Sequence, residues 1–157
     1  MTNRKAIERV KDLVVRDVVC VRPDDPLSEA VSLMFENRVS AVPVVDKQRR
    51  CKGVLSTTDL VAVFLKQTSD PVEPDELGKF TDDLADASQR GSRLGSREVS
   101  DVMTEGVMTV TLEDTILVAA REMLRNRVHR LVVVDSRQRV IGILSTMDLL
   151  EAFSAES

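Results

Sequence analysis

The chain has 157 residues and repeats itself at an offset of 89 residues, and this repeat most limits how the chain can fold. Residues 10–64 align without a gap to residues 99–153, and 21 of these 55 positions are identical. A unit of about 55 residues is too small to bury a sufficient core alone, so such units pack against a neighbour. We therefore predict two copies that fold alike and pack together about a pseudo-twofold axis.

Both copies show the same succession of apolar patterns, which predicts a β-α-β-β-α unit and an α/β (α+β) fold. Short strands are expected at Val18–Val21 and Val107–Val110. In the first copy, Asp25 is the expected N-cap of a helix and Pro26 its first residue. Asn37, like Asn126 in the second copy, suits a left-handed helix stop. A strand pair and a final helix then complete each unit.

The first helix of each copy carries an apolar stripe that is predicted to face the core. The stripes consist of Leu27, Ala30, Val31, Met34 and Phe35 in one copy, and of Ile116, Ala119, Ala120, Met123 and Leu124 in the other. In the final helix of the first copy, Leu60–Leu65 is apolar on every side. This segment predicts burial against the other repeat or a second chain, and we therefore expect a homodimer.

The segment between the copies differs from them in composition, because acidic residues fill its first half and Arg, Gly and Ser its second. We predict a first domain at 1–65 with an N-terminal helical extension, a charged flexible linker at 66–98 and a second domain at 99–157. Within the linker, Leu77, Phe80 and Leu84 have the spacing of a short amphipathic helix.

Composition excludes several classes of function. The net charge of −4 and the absence of Trp and Tyr argue against nucleic-acid binding, which needs basic surfaces and aromatic platforms. No apolar run is long enough for a membrane span. One histidine and two distant cysteines, Cys20 and Cys51, cannot form a Cys/His metal site, and reduced thiols predict a cytoplasmic protein.

Two motifs recur in order and in register in both copies. They are Val39–Asp46 with Val128–Asp135, and the Gly-h-h-Ser-x-x-Asp runs Gly53–Asp59 and Gly142–Asp148, where h is apolar. Together they resemble the tandem cystathionine β-synthase (CBS) domain pair, or Bateman module. The second copy further resembles the nucleotide-binding repeats of AMP-activated kinase gamma subunits. The resemblance implies two CBS folds and a regulatory role.

The Ser-x-x-Asp spacing has two interpretations. It is the spacing of a capping box, in which Ser and Asp satisfy backbone groups at a helix start. The same helix N-terminus can also attract phosphate, while the carboxylate accepts hydrogen bonds from ribose hydroxyls. By resemblance to the family, the ligand-binding residues at these positions are Ser56, Thr58, Asp59, Ser145 and Asp148. Met147 replaces Thr58, so the second site lacks one hydroxyl.

The second copy has His129 and Arg130 where the first copy has Ser40 and Ala41. A surface His-Arg pair at a strand start is one interpretation. The other is phosphate contact, because arginine binds phosphate oxygens in bidentate fashion and protonated histidine adds a donor. The adenine is then expected on edges formed by Val39, Ser40, Ala41 and Val128.

These residues predict a stand-alone regulatory module that needs no cofactor. It is expected to bind an adenosyl ligand (AMP, ADP, ATP or S-adenosylmethionine) in the cleft between the repeats, and an effector protein is a candidate partner. The alternative is a ligand-free structural dimerisation domain. An enzyme is not expected, because no Walker A loop, dinucleotide fingerprint or catalytic array is present.

Overall fold

A computed structural model describes residues 9–16, 18–67 and 96–155 and combines helices with short strands. Two 3-10 turns, Val10–Asp12 and Val99–Asp101, begin equivalent parts of the two repeats. The elements in chain order are β1 (Val15–Arg16), α1 (Leu27–Asn37), β2 (Ala41–Val45), β3 (Cys51–Ser56), α2 (Thr57–Gln67), β4 (Thr109–Thr111), α3 (Ile116–Asn126), β5 (Arg130–Val134), β6 (Val140–Ser145) and α4 (Thr146–Ala155).

The described chain divides into two compact units, each of which takes residues from both halves of the sequence. The first-repeat unit comprises residues 19–47, 52–67 and 96–106, and the second-repeat unit comprises 9–16, 18, 48–51 and 107–155. Val10 accordingly belongs to the core of the second-repeat unit, and Val99 to that of the first-repeat unit. The division at 1–65, 66–98 and 99–157 and the pseudo-twofold packing stay predictions. The proposed Leu77, Phe80 and Leu84 helix lies outside the described residues.

The second-repeat unit contains a four-stranded sheet in the order β1-β6-β5-β4. Strand β6 is antiparallel to both β1 and β5, whereas β4 runs parallel to β5. Leu131, Val133 and Leu144 from the central strands are completely buried with Val10 in one apolar core. This sheet carries the end of β6, where the second Ser-x-x-Asp run begins.

The first-repeat unit has the same arrangement, with single bridges in place of the outer strands. Val21 pairs in parallel with Val44 of β2, and Thr104 pairs antiparallel with Val54 of β3. The strand predicted at Val18–Val21 is thus reduced to Val21, and the one predicted at Val107–Val110 begins at Thr109. Proline explains part of this difference. Pro43 has no N–H, whereas the equivalent Val132 donates to Met108 O at 3.3 Å.

The predicted helix starts and stops were wrong by one residue. Pro26, with ψ of 134°, is the N-cap of α1, because the Asp25 carboxylate accepts a hydrogen bond from Arg22 N at 2.8 Å. The left-handed residues are Arg38 and Arg127, with φ of 52° and 53°. Asn37 and Asn126 stay helical, and their side-chain amides donate to the carbonyls of Leu33 and Glu122, one turn earlier.

The apolar stripes are buried except at their last positions. Leu27, Ala30, Val31, Met34, Ile116, Ala119 and Met123 are buried and Ala120 is half-buried. Phe35 is instead 40% exposed and Leu124 80% exposed. Within the segment predicted to be buried on every side, Leu60 and Phe64 are buried but Leu65 is 48% exposed. The outer face of α2 is thus not covered within this chain, and its burial against a second chain stays a prediction.

The glycine that opens each Gly-h-h-Ser-x-x-Asp run allows a neighbouring chain segment to approach the sheet closely. A Cβ atom at Gly53 would clash with the Thr104 carbonyl, and one at Gly142 would clash with the Val15 carbonyl. Since both obstacles are backbone atoms, neither can move aside cheaply. These glycines therefore hold the β1 segment and the Thr104 segment beside the strands that end at the two sites.

Candidate functional site

The second Ser-x-x-Asp run forms a complete capping box at the junction of β6 and α4. Asp148 Oδ2 accepts a hydrogen bond from Ser145 N at 2.8 Å, and Asp148 N donates to Ser145 Oγ at 3.2 Å. Both residues are half-buried. The carboxylate is thus held rigidly beside the positive end of the α4 dipole.

Only one oxygen of the Asp148 carboxylate is used in this box. Within the described part of the chain, no donor contacts Oδ1 of Asp148. A half-buried carboxylate oxygen without a donor is a strong acceptor for an incoming hydroxyl or amine. The structure therefore has an available acceptor at a helix start, which is the chemistry that a ribose requires.

The His129-Arg130 pair lies on the same edge of the sheet as this carboxylate. Arg130 is the first residue of β5 and pairs directly with Ser145 of β6. The His129 carbonyl accepts a hydrogen bond from Thr146 N, the first residue of α4, at 3.0 Å. His129 is exposed and Arg130 is half-buried. The strand register thus places the guanidinium-bearing Arg130 beside the Ser145-Asp148 box.

The first Ser-x-x-Asp run forms the same box, but both oxygens of its carboxylate already accept hydrogen bonds. Asp59 Oδ2 accepts from Ser56 N at 2.9 Å and from Ser56 Oγ at 3.0 Å, and Asp59 N donates to Ser56 Oγ at 3.2 Å. The hydroxyl of Thr104 donates to Asp59 Oδ1 at 2.9 Å. A ligand hydroxyl at Asp59 must therefore displace or share an existing donor.

Thr104 is a site residue that the sequence reasoning missed. At the offset of 89 residues, Thr104 aligns with Val15. Thr104 pairs with the middle of β3 and Val15 with the middle of β6, the strands that end at the two boxes. Thr104 has a hydroxyl where Val15 has a methyl group. The alignment of the two repeats shows that Thr104 corresponds to Val15. It does not show that Thr104 lies near Asp59, because that depends on which segment packs beside β3.

Several predicted contact residues of the first copy line a cavity in the first-repeat unit. The cavity has a volume of about 320 Å³ and is mostly apolar. Its lining includes Val39 and Ser40, two of the residues expected to contact adenine, and their role as ligand contacts stays a prediction. Its remaining lining residues, which the sequence reasoning did not name as ligand contacts, are Val31, Met34, Phe35, Arg38, Thr57 and Leu60.

The other predicted residues occupy different environments. Ala41 is buried in β2, Thr58 is exposed on α2, and Val128 packs against the core of the second-repeat unit. None of the three lines the 320 Å³ cavity. Their role as ligand contacts stays a prediction.

Comparison with protein-family models decides the family. The CBS domain model matches residues 10–66 and 99–155. The chain belongs to the CBS domain family. Its two CBS domains coincide with the two sequence repeats, so the resemblance inferred from the motifs is confirmed.

Relatives of this CBS pair include proteins of very different length. An uncharacterised protein of Methanocaldococcus jannaschii, MJ1426, is 30% identical over 91% of this chain and 89% of its own. Inosine-5′-monophosphate dehydrogenase of the same organism is 28% identical over 94% of this chain but 24% of its own. The AMP-activated protein kinase subunit gamma-3 of Sus scrofa is 28% identical over 87% of this chain and 23% of its own. The pair thus spans about a quarter of the dehydrogenase and of the kinase subunit.

Solved CBS pairs share the fold. The crystal structure of CBSX2 in complex with AMP is 27% identical, with a TM-score of 0.70 over 94% of this chain and 97% of that one. The CBS pair of MJ0100, solved with 5′-methylthioadenosine and S-adenosyl-L-methionine, has a TM-score of 0.69 over 96% of this chain and 99% of that one, at 18% identity. The mixed helix and strand architecture predicted from the repeat is confirmed.

Proposed function

We propose that this CBS pair is a regulatory module that binds an adenosine nucleotide, with its principal site at Asp148. The observation that carries the proposal is the Asp148 carboxylate, which Ser145 fixes through one oxygen and whose other oxygen accepts no hydrogen bond from the described residues. A ribose diol can donate to that oxygen without breaking the capping box. The ribose thus gains a charge-assisted hydrogen bond at no cost to the helix.

Phosphate recognition at this site is assigned to Arg130, with His129 beside it. Arg130 lies opposite Ser145 on the adjacent strand, and the positive end of the α4 dipole complements a phosphate charge. Arginine offers two parallel donors to phosphate oxygens, which a neutral ligand cannot use. The site therefore favours AMP, ADP or ATP over adenosine, and over S-adenosylmethionine, which has no phosphate.

The similarity to CBSX2, solved with AMP at 27% identity, supports an adenosine ligand. The Asp59 site is assigned a weaker role, since Thr104 and Ser56 already occupy its carboxylate. The apolar cavity lined by Val39 and Ser40 is then a candidate adenine contact in the first-repeat unit. A ribose at Asp59 would share its carboxylate oxygens with Ser56 and Thr104.

The proposed role is regulation of an effector protein, without catalysis. The similarity to the dehydrogenase covers about a quarter of that enzyme and transfers none of its activity. Within the described residues, the half-buried Cys20 and Cys51 form no disulfide, which suits a reducing compartment such as the cytoplasm. Among the described helices, none is both long and apolar enough to cross a membrane.

We also propose that the pair forms a homodimer through helices α3 and α4. Large apolar side chains on these helices are more than half exposed, namely Leu117, Leu124, Met147, Leu150 and Phe153. Isolated exposed apolar residues are ordinary, but a group on two packed helices indicates an interface. A second copy of the chain is the proposed occupant, and light scattering at micromolar concentration tests it. A monomer at that concentration would exclude the dimer.

A ligand-free structural domain is the second candidate function. The capping boxes favour it, because each Asp already satisfies a helix start without a ligand. Calorimetry of the wild-type protein with AMP, ADP, ATP, adenosine and S-adenosylmethionine separates the two candidates. We expect AMP to bind, and to bind more tightly than adenosine. If none of the five ligands bound at millimolar concentration, the structural role would replace the regulatory one.

A further inference from the structure

Helices α1 and α3 are equivalent in the repeat, yet their outer faces carry opposite charge. The α1 outer face and the α3 outer face consist of five equivalent residues each, namely Ser28, Glu29, Ser32, Phe35 and Glu36 on α1, and Leu117, Val118, Arg121, Leu124 and Arg125 on α3. Helix α1 contains two carboxylates and no cation, whereas α3 contains two arginines and one carboxylate. The net charges of the two helices are therefore −2 and +1.

Much of this charge has no ion-pair partner among the described residues. Glu29 and Glu36 are exposed, and no described cation lies within ion-pair distance of either carboxylate. On α3, Arg125 pairs with Glu122 at 3.7 Å, but no described carboxylate pairs with Arg121. Each outer face thus keeps charge that a surface of opposite sign would neutralise.

The Ser32 hydroxyl on the α1 outer face also lacks a partner. Its oxygen is buried, yet no described residue forms a hydrogen bond with it. Such buried polar atoms are rare, because nearly all of them have a partner in a folded protein. A hollow of about 260 Å³ in the surface of α1 is lined by Ser28, Glu29, Ser32, Leu33 and Glu36. A cationic donor in this hollow would meet the Ser32 hydroxyl and two carboxylates.

Both outer faces also expose a large apolar side chain at an equivalent position. Phe35 on α1 is 40% exposed and Leu124 on α3 is 80% exposed. A contact between the two faces would bury apolar surface as well as pair opposite charges. Stable interfaces between proteins combine these two contributions.

We propose that the α1 outer face binds the α3 outer face of a second copy of this chain, with Arg121 and Arg125 of that copy entering the hollow around Ser32. This inference rests on the proposed homodimer and specifies which surfaces meet in it. Guanidinium groups pair with carboxylates and donate to a hydroxyl oxygen, so they match the lining of the hollow. If α3 instead packed against α3, Arg121 and Arg125 would face copies of themselves, and like charges across an interface oppose association.

Charge reversal in the full chain tests the proposal, with self-association measured by analytical ultracentrifugation. The acid-swap variant carries Glu29→Lys and Glu36→Lys, and the base-swap variant carries Arg121→Glu and Arg125→Glu. A full-swap variant combines all four changes. We expect the acid swap and the base swap each to weaken self-association about tenfold or more, because each places like charges across the contact. The full swap restores opposite charges and should associate within a few-fold of wild type.

A matched control reverses two charges elsewhere on the surface. Lys47→Glu with Glu105→Lys changes two exposed residues that lie outside the four α-helices, and it should associate as wild type does. Circular dichroism and thermal melting check that each variant is folded. If a swap variant is unfolded, Glu36→Gln and Arg121→Gln take its place, and each should weaken association several-fold.

Three results would overturn this contact while leaving a homodimer in place. One is that the acid swap and the base swap both associate as tightly as wild type. Another is that the full swap associates no better than either of them. The third is that the base swap binds wild type more tightly than wild type binds itself, which would indicate α3 against α3. A wild-type monomer at micromolar concentration would instead refute the homodimer itself.

Discussion

The ends of β3 and β6 carry the same Ser-x-x-Asp box, yet the two carboxylates differ in availability. At the end of β3, Thr104 donates to the second oxygen of Asp59 at 2.9 Å. At the end of β6, the equivalent neighbour is Val15, which has no donor, and no described group contacts the second oxygen of Asp148.

A duplicated motif therefore does not guarantee two equivalent sites. The residues that distinguish the two boxes lie outside the motif, on the segment that packs beside each strand. Arg130 adds to the asymmetry, because Ala41 occupies its place in the first repeat and is buried.

The largest expected effect is that of Asp148→Ala on ligand affinity. Losing the carboxylate removes up to two charge-assisted hydrogen bonds to the ribose, so AMP and adenosine should both weaken about a hundredfold or more. Asp59→Ala is the matched control, because it removes an equivalent helix cap. It should cost more stability than the loss of about 1 kcal/mol expected for the cap alone, because Thr104 and Ser56 also lose their acceptor, and it should have little effect on the tighter binding event.

Calorimetry for affinity and thermal melting for stability separate these effects. Equal losses of AMP affinity in Asp59→Ala and Asp148→Ala would contradict the proposed asymmetry. A loss in Asp59→Ala alone would move the principal site to the first repeat.

Arg130→Ala should affect phosphorylated ligands selectively. Removing its charge-assisted bonds to phosphate should weaken AMP roughly ten- to hundredfold and leave adenosine unchanged. Arg125→Ala, which removes an exposed arginine from α3, is the control and should change neither affinity. If Arg130→Ala weakened adenosine and AMP equally, Arg130 would have a packing role and not a phosphate role.

Exchanging Thr104 and Val15, the residues beside the two boxes, should reverse part of the difference in ligand affinity between Asp59 and Asp148. Thr104→Val removes the donor from Asp59 Oδ1, so it should raise ligand affinity at the first-repeat site and cost about 1 kcal/mol of stability. Val15→Thr supplies a hydroxyl at the position equivalent to Thr104 and should weaken binding at Asp148 several-fold.

Calorimetry measures the number of AMP molecules bound per chain. We expect a second binding event in Thr104→Val that is not seen in the wild-type protein. The proposed control by Thr104 would be refuted if this variant left both stoichiometry and affinities unchanged while remaining folded.

The smallest effect is expected at Asp135, which is equivalent to Asp46 in the first repeat. Its pKa is lowered from an ordinary value of 3.8, so its contribution to stability is complete above that value and is lost as the pH falls through the lowered pKa. Asp135→Asn should reduce stability slightly at pH 7 and should converge with wild type in acid. Urea unfolding at a series of pH values measures this, and a difference that grew in acid would contradict it.

The order of the elements was predictable because it follows from local patterns. The apolar strands before Ser56 and Ser145 and the helices after them are set by residues that are close in sequence. The one-residue errors at Asp25 and Asn37 arose because nearby backbone groups competed for those side chains, and propensity alone does not decide such competition.

The missed features depend on contacts between distant residues. Thr104 contacts Asp59 across 45 positions, and nothing in local periodicity tells which segment lies beside which strand. The exposure of Phe35 and Leu124 was missed for a related reason, because a stripe predicts a buried face but not how far the core extends along the helix. Residues of the box itself were predicted, whereas residues that tune it were not.

The placement of β1 beside β6 also constrains how the protein can be made. Val15 pairs with Ile143, so β1 is synthesised long before the strand with which it pairs. At a synthesis rate of about 5–20 residues per second, that wait lasts on the order of ten seconds. Contacts of such long sequence separation slow folding, because the chain must close a large loop before they form. Either repeat made alone would lack a core valine, because Val10 belongs to the core of the second-repeat unit and Val99 to that of the first-repeat unit.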